Sequence, residues 1–349
     1  MPKIEYVDDS WDTEQLLESL SPPVRNWFKD KFPDFTEPQK LAIPRILNGE
    51  HLLLCSPTGS GKTLTAFLTI IDDLVRKSLD GSLGNSVQCV YISPIKALAN
   101  DIQKNLIGPL TEIRERYLPG RAKEIKVGLR TGDTSRKERE RMLRKPPHIL
   151  ITTPESLGLA LASKRFRPLL NELQWMIIDE MHSLVPTKRG THLALSLALM
   201  DSVIDSHVQR IGISATMEPL DAVAEFLVAS DSRESDAEPQ HVAIAKVSGS
   251  RRLDLDIILP TPRFSSLPVK EILDHNVDRI KEIVEAHTTT LVFVNTRQMT
   301  ETVVQKLKIL GTEGVEGHHG SMDKNIRLDV ERKLKLGHLR AVVTSSSLE

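Results

Sequence analysis

Cysteine is nearly absent: the 349 residues hold two, Cys55 and Cys89. Both fall in or beside short apolar runs. They read as small core residues in a reducing compartment, so neither a disulfide framework nor a Cys-based metal site is expected. Aromatic residues make up only 4%, which argues against an extended platform for stacking bases. Net charge is lacking too, since 46 Lys+Arg against 47 Asp+Glu leave −1. Bulk charge therefore neither supports nor excludes a nucleic-acid partner; such a site would be a local patch or rest on backbone contacts. No apolar run reaches the roughly 18 residues of a membrane-spanning helix. The N-terminus, Met1-Pro2-Lys3-Ile4-Glu5-Tyr6, has no apolar stretch of signal-peptide type. These absences point to a cytoplasmic protein with no membrane partner.

Hydrophobic residues supply 40% of the chain, enough for sizeable cores, and the length suggests two domains. Residues 1–34 look like a polar, Pro-broken lead-in. Trp11, Leu16, Leu17 and Leu20 would share one helix face, with Pro22-Pro23 ending that helix. From about residue 50, short apolar runs recur: Leu52–Cys55, Cys89–Ile92, Lys126–Leu129, Ile149–Ile151, Met176–Ile178 and Arg210–Ile213. Helical patterns separate most of them. Wholly apolar strands alternating with helices indicate a parallel sheet covered on both faces. The polar stretch Ser230–Asp236 predicts a loop, and His241–Val247 an edge strand. Helix Thr191–Val203 is apolar on nearly every side, which reads as core. The expected first domain is 35–248, the linker 249–268, and a second α/β series, 269–349, stops after few strands.

The strongest local signal is Ser56-Pro57-Thr58-Gly59-Ser60-Gly61-Lys62-Thr63, between an apolar run and a helical pattern. Strand, glycine-bearing loop and helix together bind phosphate, through inward-turned N–H groups and the helix N-terminus. Lys62 would reach the β- and γ-phosphates, and the Thr63 hydroxyl would hold Mg²⁺. Ser56 stands where the strict pattern has Gly. The second signal is Ile177-Ile178-Asp179-Glu180-Met181-His182. It puts carboxylates at the C-terminal edge of the sheet, where ligands bind in open α/β folds. Asp179 would hold Mg²⁺, and Glu180 would orient and deprotonate an attacking water. His182 would link to Ser214 or Thr216, or serve as a satisfied structural histidine. His318-His319 has no Cys or acid at ligand spacing, so no metal site is expected there. Lys188-Arg189 is a local basic pair, read as a strand or phosphate contact or a solvated loop.

Together these motifs resemble the superfamily 2 (DEAD/DEAH-box-like) helicases. That resemblance implies two RecA-like parallel-sheet α/β domains of the P-loop NTPase kind, here with the second incomplete. Thr36-Glu37-Pro38-Gln39 resembles the adenine-reading segment, with Gln39 the base contact and Phe35 or Phe32 a stacking face. Pro94–Asp101 with Lys96, Arg130-Thr131-Gly132-Asp133, and Thr152-Thr153-Pro154-Glu155 resemble strand-tracking motifs. Their Thr-rich turns would offer hydroxyls and N–H groups to phosphates, although such turns are also ordinary turn chemistry. Ser214-Ala215-Thr216 resembles the coupling motif. In the second domain, Leu291–Arg297 (with Thr296 and Arg297), His318-His319-Gly320-Ser321, and Val342–Ser346 (with Thr344) match further motifs.

The runs from Asp179 to Leu184, Lys188 to Leu195 and Ile213 to Leu220 are similar to the Lhr (large helicase-related) group. The group implies an ATP- and Mg²⁺-dependent, monomeric 3′-to-5′ translocase. It would act on single-stranded DNA or RNA and on DNA/RNA duplexes, in repair or RNA handling. The Gln-x-x-Gly-Arg-x-Gly-Arg segment expected after Thr344, which supplies the family's arginine finger, lies beyond Glu349. So do the group's C-terminal domains. The expectation is a fragment of a longer helicase; the alternative is an ATP- and nucleic-acid-binding module with little hydrolysis of its own.

Overall fold

The computed structural model describes residues 2–57, 59–94, 102–118, 120, 122–204, 207–215, 217–228, 240–247, 254–259 and 267–345. It divides the chain into two compact units, 1–251 and 252–349.

The first unit is built on one eight-stranded sheet of order β1-β8-β2-β7-β6-β3-β5-β4. Its strands are β1 (Lys3–Val7), β2 (His51–Cys55), β3 (Cys89–Ile92), β4 (Val127–Arg130), β5 (Ile149–Thr152), β6 (Trp175–Ile178), β7 (Gln209–Ser214) and β8 (His241–Lys246). Every neighbouring pair is parallel. Alternation along each strand makes two separate cores. Leu52, Leu54, Cys89 and Tyr91 face one, while Leu53, Cys55, Val90 and Ile92 face the other. Period-two side chains with both faces covered are why these strands read as continuous apolar runs. Helices Thr13–Ser19, Pro22–Lys31, Glu37–Leu47 and Lys62–Asp80 cover the first face. Helices Pro154–Ala162, Lys188–Val203 and Leu220–Val228 cover the second.

Several expectations change. Residues 1–34 are part of the first unit, not a lead-in. Lys3–Val7 pairs in register with His241–Ala245, and Leu16, Leu20, Val24, Trp27 and Phe28 are buried in the first core. His241–Lys246 is accordingly an inner strand, because β1 covers the side that would otherwise be an edge. Pro22 opens a helix rather than ending one, as suits a residue without an N–H at the first helical position. Helix Lys188–Val203 is not apolar core all round: Leu193, Leu197 and Met200 are buried, but Leu195 is 68% exposed. The Ser230–Asp236 loop lies outside the described residues, and so does most of the expected linker.

The second unit carries a parallel three-stranded sheet of order β10-β11-β9, from β9 (Thr290–Phe293), β10 (Val315–His318) and β11 (Ala341–Thr344). Ala341 and Val343 pack with residues of helices Val269–Ala286 and Arg297–Ile309. Val342 faces the other way, with Val330 of helix Lys324–Lys335. The same alternation is at work on a smaller scale.

Two buried histidines are expected to make the first unit less stable in acid. The His148 Nδ1 accepts the Lys126 N–H at 2.9 Å, and its other ring nitrogen faces the Gly84 carbonyl at 3.1 Å. His51 Nδ1 accepts the Arg210 N–H at 3.0 Å. Burial pushes both rings down to about 4. Between about pH 6.5 and 4 the unfolded chain would bind protons that the folded chain refuses, so stability falls as pH drops through that window. The expected loss is on the order of 3 kcal/mol per ring at most. Denaturant unfolding at pH 7, 5.5 and 4.5 checks this; a His148→Gln variant with an unchanged acid slope would remove His148 from the account.

Candidate functional site

Because all strands of the first sheet are parallel, the segments that leave them at their C-terminal ends share one edge. The order β2-β7-β6 therefore sets three motifs side by side: Ser56–Thr63 after β2, Ser214-Ala215 at the end of β7, and Asp179-Glu180 after β6. The register puts Cys55 level with Ser214 and Ile178 level with Gly212.

The loop after β2 depends on two glycines in the left-handed region, Gly59 (φ +77°) and Gly61 (φ +90°), where side chains with a Cβ are strained. Gly61 caps helix Lys62–Asp80. The Lys62 ammonium donates to the Ser56 carbonyl at 2.5 Å and the Pro57 carbonyl at 2.8 Å, so a cation is held within the loop. Burial lowers the Lys62 pKa, opposed by the negative charges of Glu180 and Asp179. Ser56, the departure from the strict pattern, bonds Ser60 hydroxyl to hydroxyl at 2.6 Å. It thereby closes the loop on itself. Thr63 is the second residue of the helix. Thr58 lies outside the described residues.

Gln39 is brought to this loop from helix Glu37–Leu47. Its Oε1 accepts the Thr36 N–H at 2.9 Å, which fixes the amide. Its Nε2 lies 3.8 Å from where a Cβ on Gly61 would sit. Phe35 does not offer a stacking face. It is 4% exposed and stacks on Phe28 at 4.0 Å between centroids. Phe32 packs against Trp27 and Phe28.

Asp179 is buried beyond the end of β6, with its N–H on the Ile92 carbonyl at 2.9 Å. Its Oδ2 accepts the Tyr91 hydroxyl, and its Oδ1 accepts the Glu180 N–H at 2.8 Å. Among the described residues, Glu180 is the only non-glycine with positive φ, at +54°. Strain of this kind persists where the surroundings over-determine it. Those surroundings include His182. Its Nδ1 accepts the Ala215 N–H at 3.2 Å and faces the Ser214 hydroxyl at 3.5 Å. The opposite nitrogen, Nε2, sits 3.1 Å from Glu180 Oε2. The tautomer that satisfies these contacts carries its proton on Nε2 and donates to Glu180. His182 thus bridges the end of β7 to Glu180, and Thr216 lies outside the described residues.

Oxygen ligands suit a magnesium ion, and the Thr63 hydroxyl and Asp179 carboxylate are both of that kind. Together with a loop that already holds an ammonium group, they form a donor set that fits Mg–nucleotide. No group of three or more His, Cys, Asp or Glu among the described residues could hold a metal alone. No described helix is long and apolar enough to cross a membrane.

The remaining candidates in the first unit follow β3, β5 and β4 on the same edge. Lys96 lies outside the described residues. The Thr152 hydroxyl donates to the Arg130 carbonyl at 2.8 Å. Thr153 caps the helix that Pro154 opens, and donates to the Ser156 hydroxyl at 3.2 Å. Both threonine protons are thus used within the fold. The Arg130 guanidinium lies over the Phe166 ring, 4.4 Å from its centroid. Thr131 bonds Thr134 in a tight turn, and Arg139 donates to the Thr131 and Gly132 carbonyls at 3.2 and 3.3 Å. Arg189 is ion-paired with Glu155 rather than presented as a bare cation.

In the second unit, Thr296 caps helix Arg297–Ile309, and Arg297 donates to the Ser321 hydroxyl at 2.5 Å. His318 and His319 are buried, facing Glu331 at 3.3 Å and Glu301 at 2.7 Å, so neither ring presents an open face to a strand. The Thr344 hydroxyl donates to the Ser345 carbonyl at 2.8 Å.

Sequence reasoning missed Tyr91, which fixes Asp179, and Cys55, whose thiol donates to the Ala215 carbonyl at 3.3 Å. Each bonds to the segment leaving the next strand in the sheet, β6 for Tyr91 and β7 for Cys55, far away in the chain. A buried Tyr at the end of an otherwise aliphatic strand is the one signal that could have pointed to the first.

The family described as DEAD/DEAH box helicase matches residues 36–224. An ATP-dependent helicase Lhr-Core of Methanothermobacter thermautotrophicus is 47% identical over 99% of this chain and 40% of its own length. That of Methanocaldococcus jannaschii is 43% identical over 100% of this chain and 40% of its own. The chain thus spans about 40% of the length of these curated relatives. Among solved structures, Mycobacterium smegmatis helicase Lhr bound to ssDNA and AMP-PNP superposes with a TM-score of 0.75 at 39% identity, covering 97% of this chain and 43% of that one. Mss116p bound to ssRNA and AMP-PNP, 18% identical with a TM-score of 0.69 over 98% of this chain and 68% of that one, shares the fold.

Proposed function

The chain belongs to the DEAD/DEAH box helicase family, and from that premise we propose that it is the ATP-driven motor portion of an Lhr-type helicase, moving along single-stranded DNA or RNA and separating DNA/RNA duplexes. The observation that carries this reading is the Glu180–His182–Ala215 bridge beside the Lys62 loop. It joins a candidate water-activating carboxylate directly to the end of a neighbouring strand.

Bound Mg–ATP would supply the phosphoanhydride to be cleaved. Lys62 would turn its ammonium from the Ser56 and Pro57 carbonyls to the phosphates, with Ser56, Pro57, Thr58, Gly59, Ser60 and Gly61 shaping the loop. Thr63 and Asp179 would hold Mg²⁺, with Tyr91 keeping Asp179 in place. Glu180 would orient and deprotonate the attacking water. His182, bonded to Glu180, would report the state of that carboxylate to Ser214-Ala215-Thr216. Gln39 would read adenine. On the other half of the edge, Lys96, Arg130, Thr131, Gly132, Thr152, Thr153 and Pro154 would form the strand-tracking surface. Their contribution would come largely through N–H groups and turn geometry, since the Thr152 and Thr153 hydroxyl protons are engaged. In the second unit Thr296, Arg297 and Thr344 are the corresponding candidates; His319 would act by holding its loop, not by touching the strand.

The test is ATP turnover by this chain with and without single-stranded DNA or RNA. Turnover that rises with added strand supports the motor. Tight binding of ATP and strand without turnover would favour a binding module, and absence of nucleotide binding would overturn both readings.

A further inference from the structure

Arg189 is the second residue of helix Lys188–Val203, which follows β6 and the Asp179–His182 segment. Its guanidinium makes three bonds. Nε donates to Glu155 Oε1 at 2.6 Å and Nη2 to Glu155 Oε2 at 3.2 Å, while Nη1 donates to the Pro94 carbonyl at 2.9 Å. Glu155 lies in the first turn of the helix after β5, and Pro94 just past the end of β3. One side chain therefore ties together the segments that leave β6, β3 and β5, three consecutive strands of the sheet.

We propose that Arg189 is a positioning residue that locks Pro94, just past β3, and the helix start at Glu155, after β5, to the helix that follows the Asp179-Glu180 segment, and so holds that part of the candidate strand-tracking surface in place. In this role it does not itself contact phosphate. The inference rests on the motor reading above and extends it to Arg189, to which that reading gives no role.

Three physical points support it. A guanidinium held bidentate by a carboxylate, with its remaining arm on a carbonyl, is oriented and charge-compensated. It is poorly placed to trade those partners for a phosphate. Both partners are about half exposed, 42% for Arg189 and 50% for Glu155, and pairs of that exposure add little to stability. Geometry is then the stronger reason for the arrangement. Finally, the pair persists across the working pH range, because the Arg189 hydrogen bond holds the Glu155 carboxyl down to about 2.

The experiment uses Arg189→Ala, Glu155→Gln and the double variant. Single-strand affinity is read by anisotropy at several salt concentrations, and ATPase against strand concentration. Both single variants should raise the half-saturating strand concentration by about three- to thirtyfold, the range expected for loss of a coupling contact. The double variant should be no worse than the worse single. ATP affinity, melting temperature and the salt slope should match the parent chain.

An Arg189→Ala chain whose salt slope falls by about one, beside a Glu155→Gln chain that binds as well or better, would instead make Arg189 a phosphate contact and overturn the proposal. Equal losses of melting temperature and ATP affinity would reduce the pair to a structural brace. If the parent is stimulated by strand and the variants are unaffected, the inference fails alone. If no strand stimulates the parent, the motor reading fails and the inference with it.

Discussion

Glu180→Gln is expected to cut strand-stimulated ATP turnover by about a hundredfold or more, the usual contribution of a positioned general base, with ATP affinity changed only a few-fold. Lys62→Ala is expected to lose both turnover and affinity. The two differ because of what each side chain touches. Gln keeps the shape of Glu, and its amide oxygen can still accept from His182 Nε2, now 3.1 Å from the Glu180 carboxylate. The bridge to Ala215 therefore survives while proton acceptance is lost. Removing that carboxylate also removes a negative charge that favours the protonated form of Lys62, which accounts for the small affinity change. Alanine at 62 instead empties the loop of its ammonium group. Turnover against ATP concentration, with single-stranded DNA or RNA saturating, separates the cases. A Glu180→Gln chain that turns over within a few-fold of the parent would remove Glu180 from the base role.

How much of this was legible from the chain depends on distance along it. Ser56–Thr63 and Asp179–His182 are contiguous, and a contiguous motif carries its own local geometry: a loop before a helix, or acids at a strand end. Thr36 and Gln39 are also close in the chain and cap one helix together, but the base-contact role of Gln39 came from the resemblance alone and not from that local geometry. Phe35 was misread because its ring is spent on Phe28, in the preceding helix. The role of Lys3–Val7 was hidden because its partner strand begins at His241, and no local pattern announces a pairing across that separation. Tyr91 and Cys55 escaped for a related reason. Their partners, Asp179 and Ala215, become neighbours only through the strand order, which periodicity does not encode. The Thr152-Thr153 pair shows the opposite case. Its helix-cap chemistry was visible, and the Thr153 hydroxyl does cap the helix, but that of Thr152 bonds the Arg130 carbonyl on the neighbouring strand instead of a turn.

Gly190→Ala is expected to destabilise the first unit by about 3 kcal/mol or more, above the usual range for a single added methyl group. The cause is steric rather than conformational. A Cβ at 190 would lie 2.3 Å from the Leu184 carbonyl oxygen, 2.9 Å from its carbon and 3.1 Å from the Val185 oxygen. All three are backbone atoms, so no side chain can swing away. Either the start of helix Lys188–Val203 or the turn Met181–Leu184 must move. Gly81→Ala is the matched comparison. Gly81 has φ +82° but nothing within 4 Å of its would-be Cβ, so only the left-handed strain of about 1 kcal/mol applies. Denaturant unfolding should therefore rank Gly190→Ala well below Gly81→Ala, and the reverse order would refute the steric account. The two should part further in turnover. The turn that Gly190 abuts holds His182, and the residue before Gly190 is Arg189, bonded to Glu155 and Pro94. A displacement there would disturb the bridge to Glu180 and the tie to the β3 and β5 segments together. Gly190→Ala should then lose strand-stimulated turnover even under conditions where it remains folded, whereas Gly81→Ala, at the far end of helix Lys62–Asp80, should keep it.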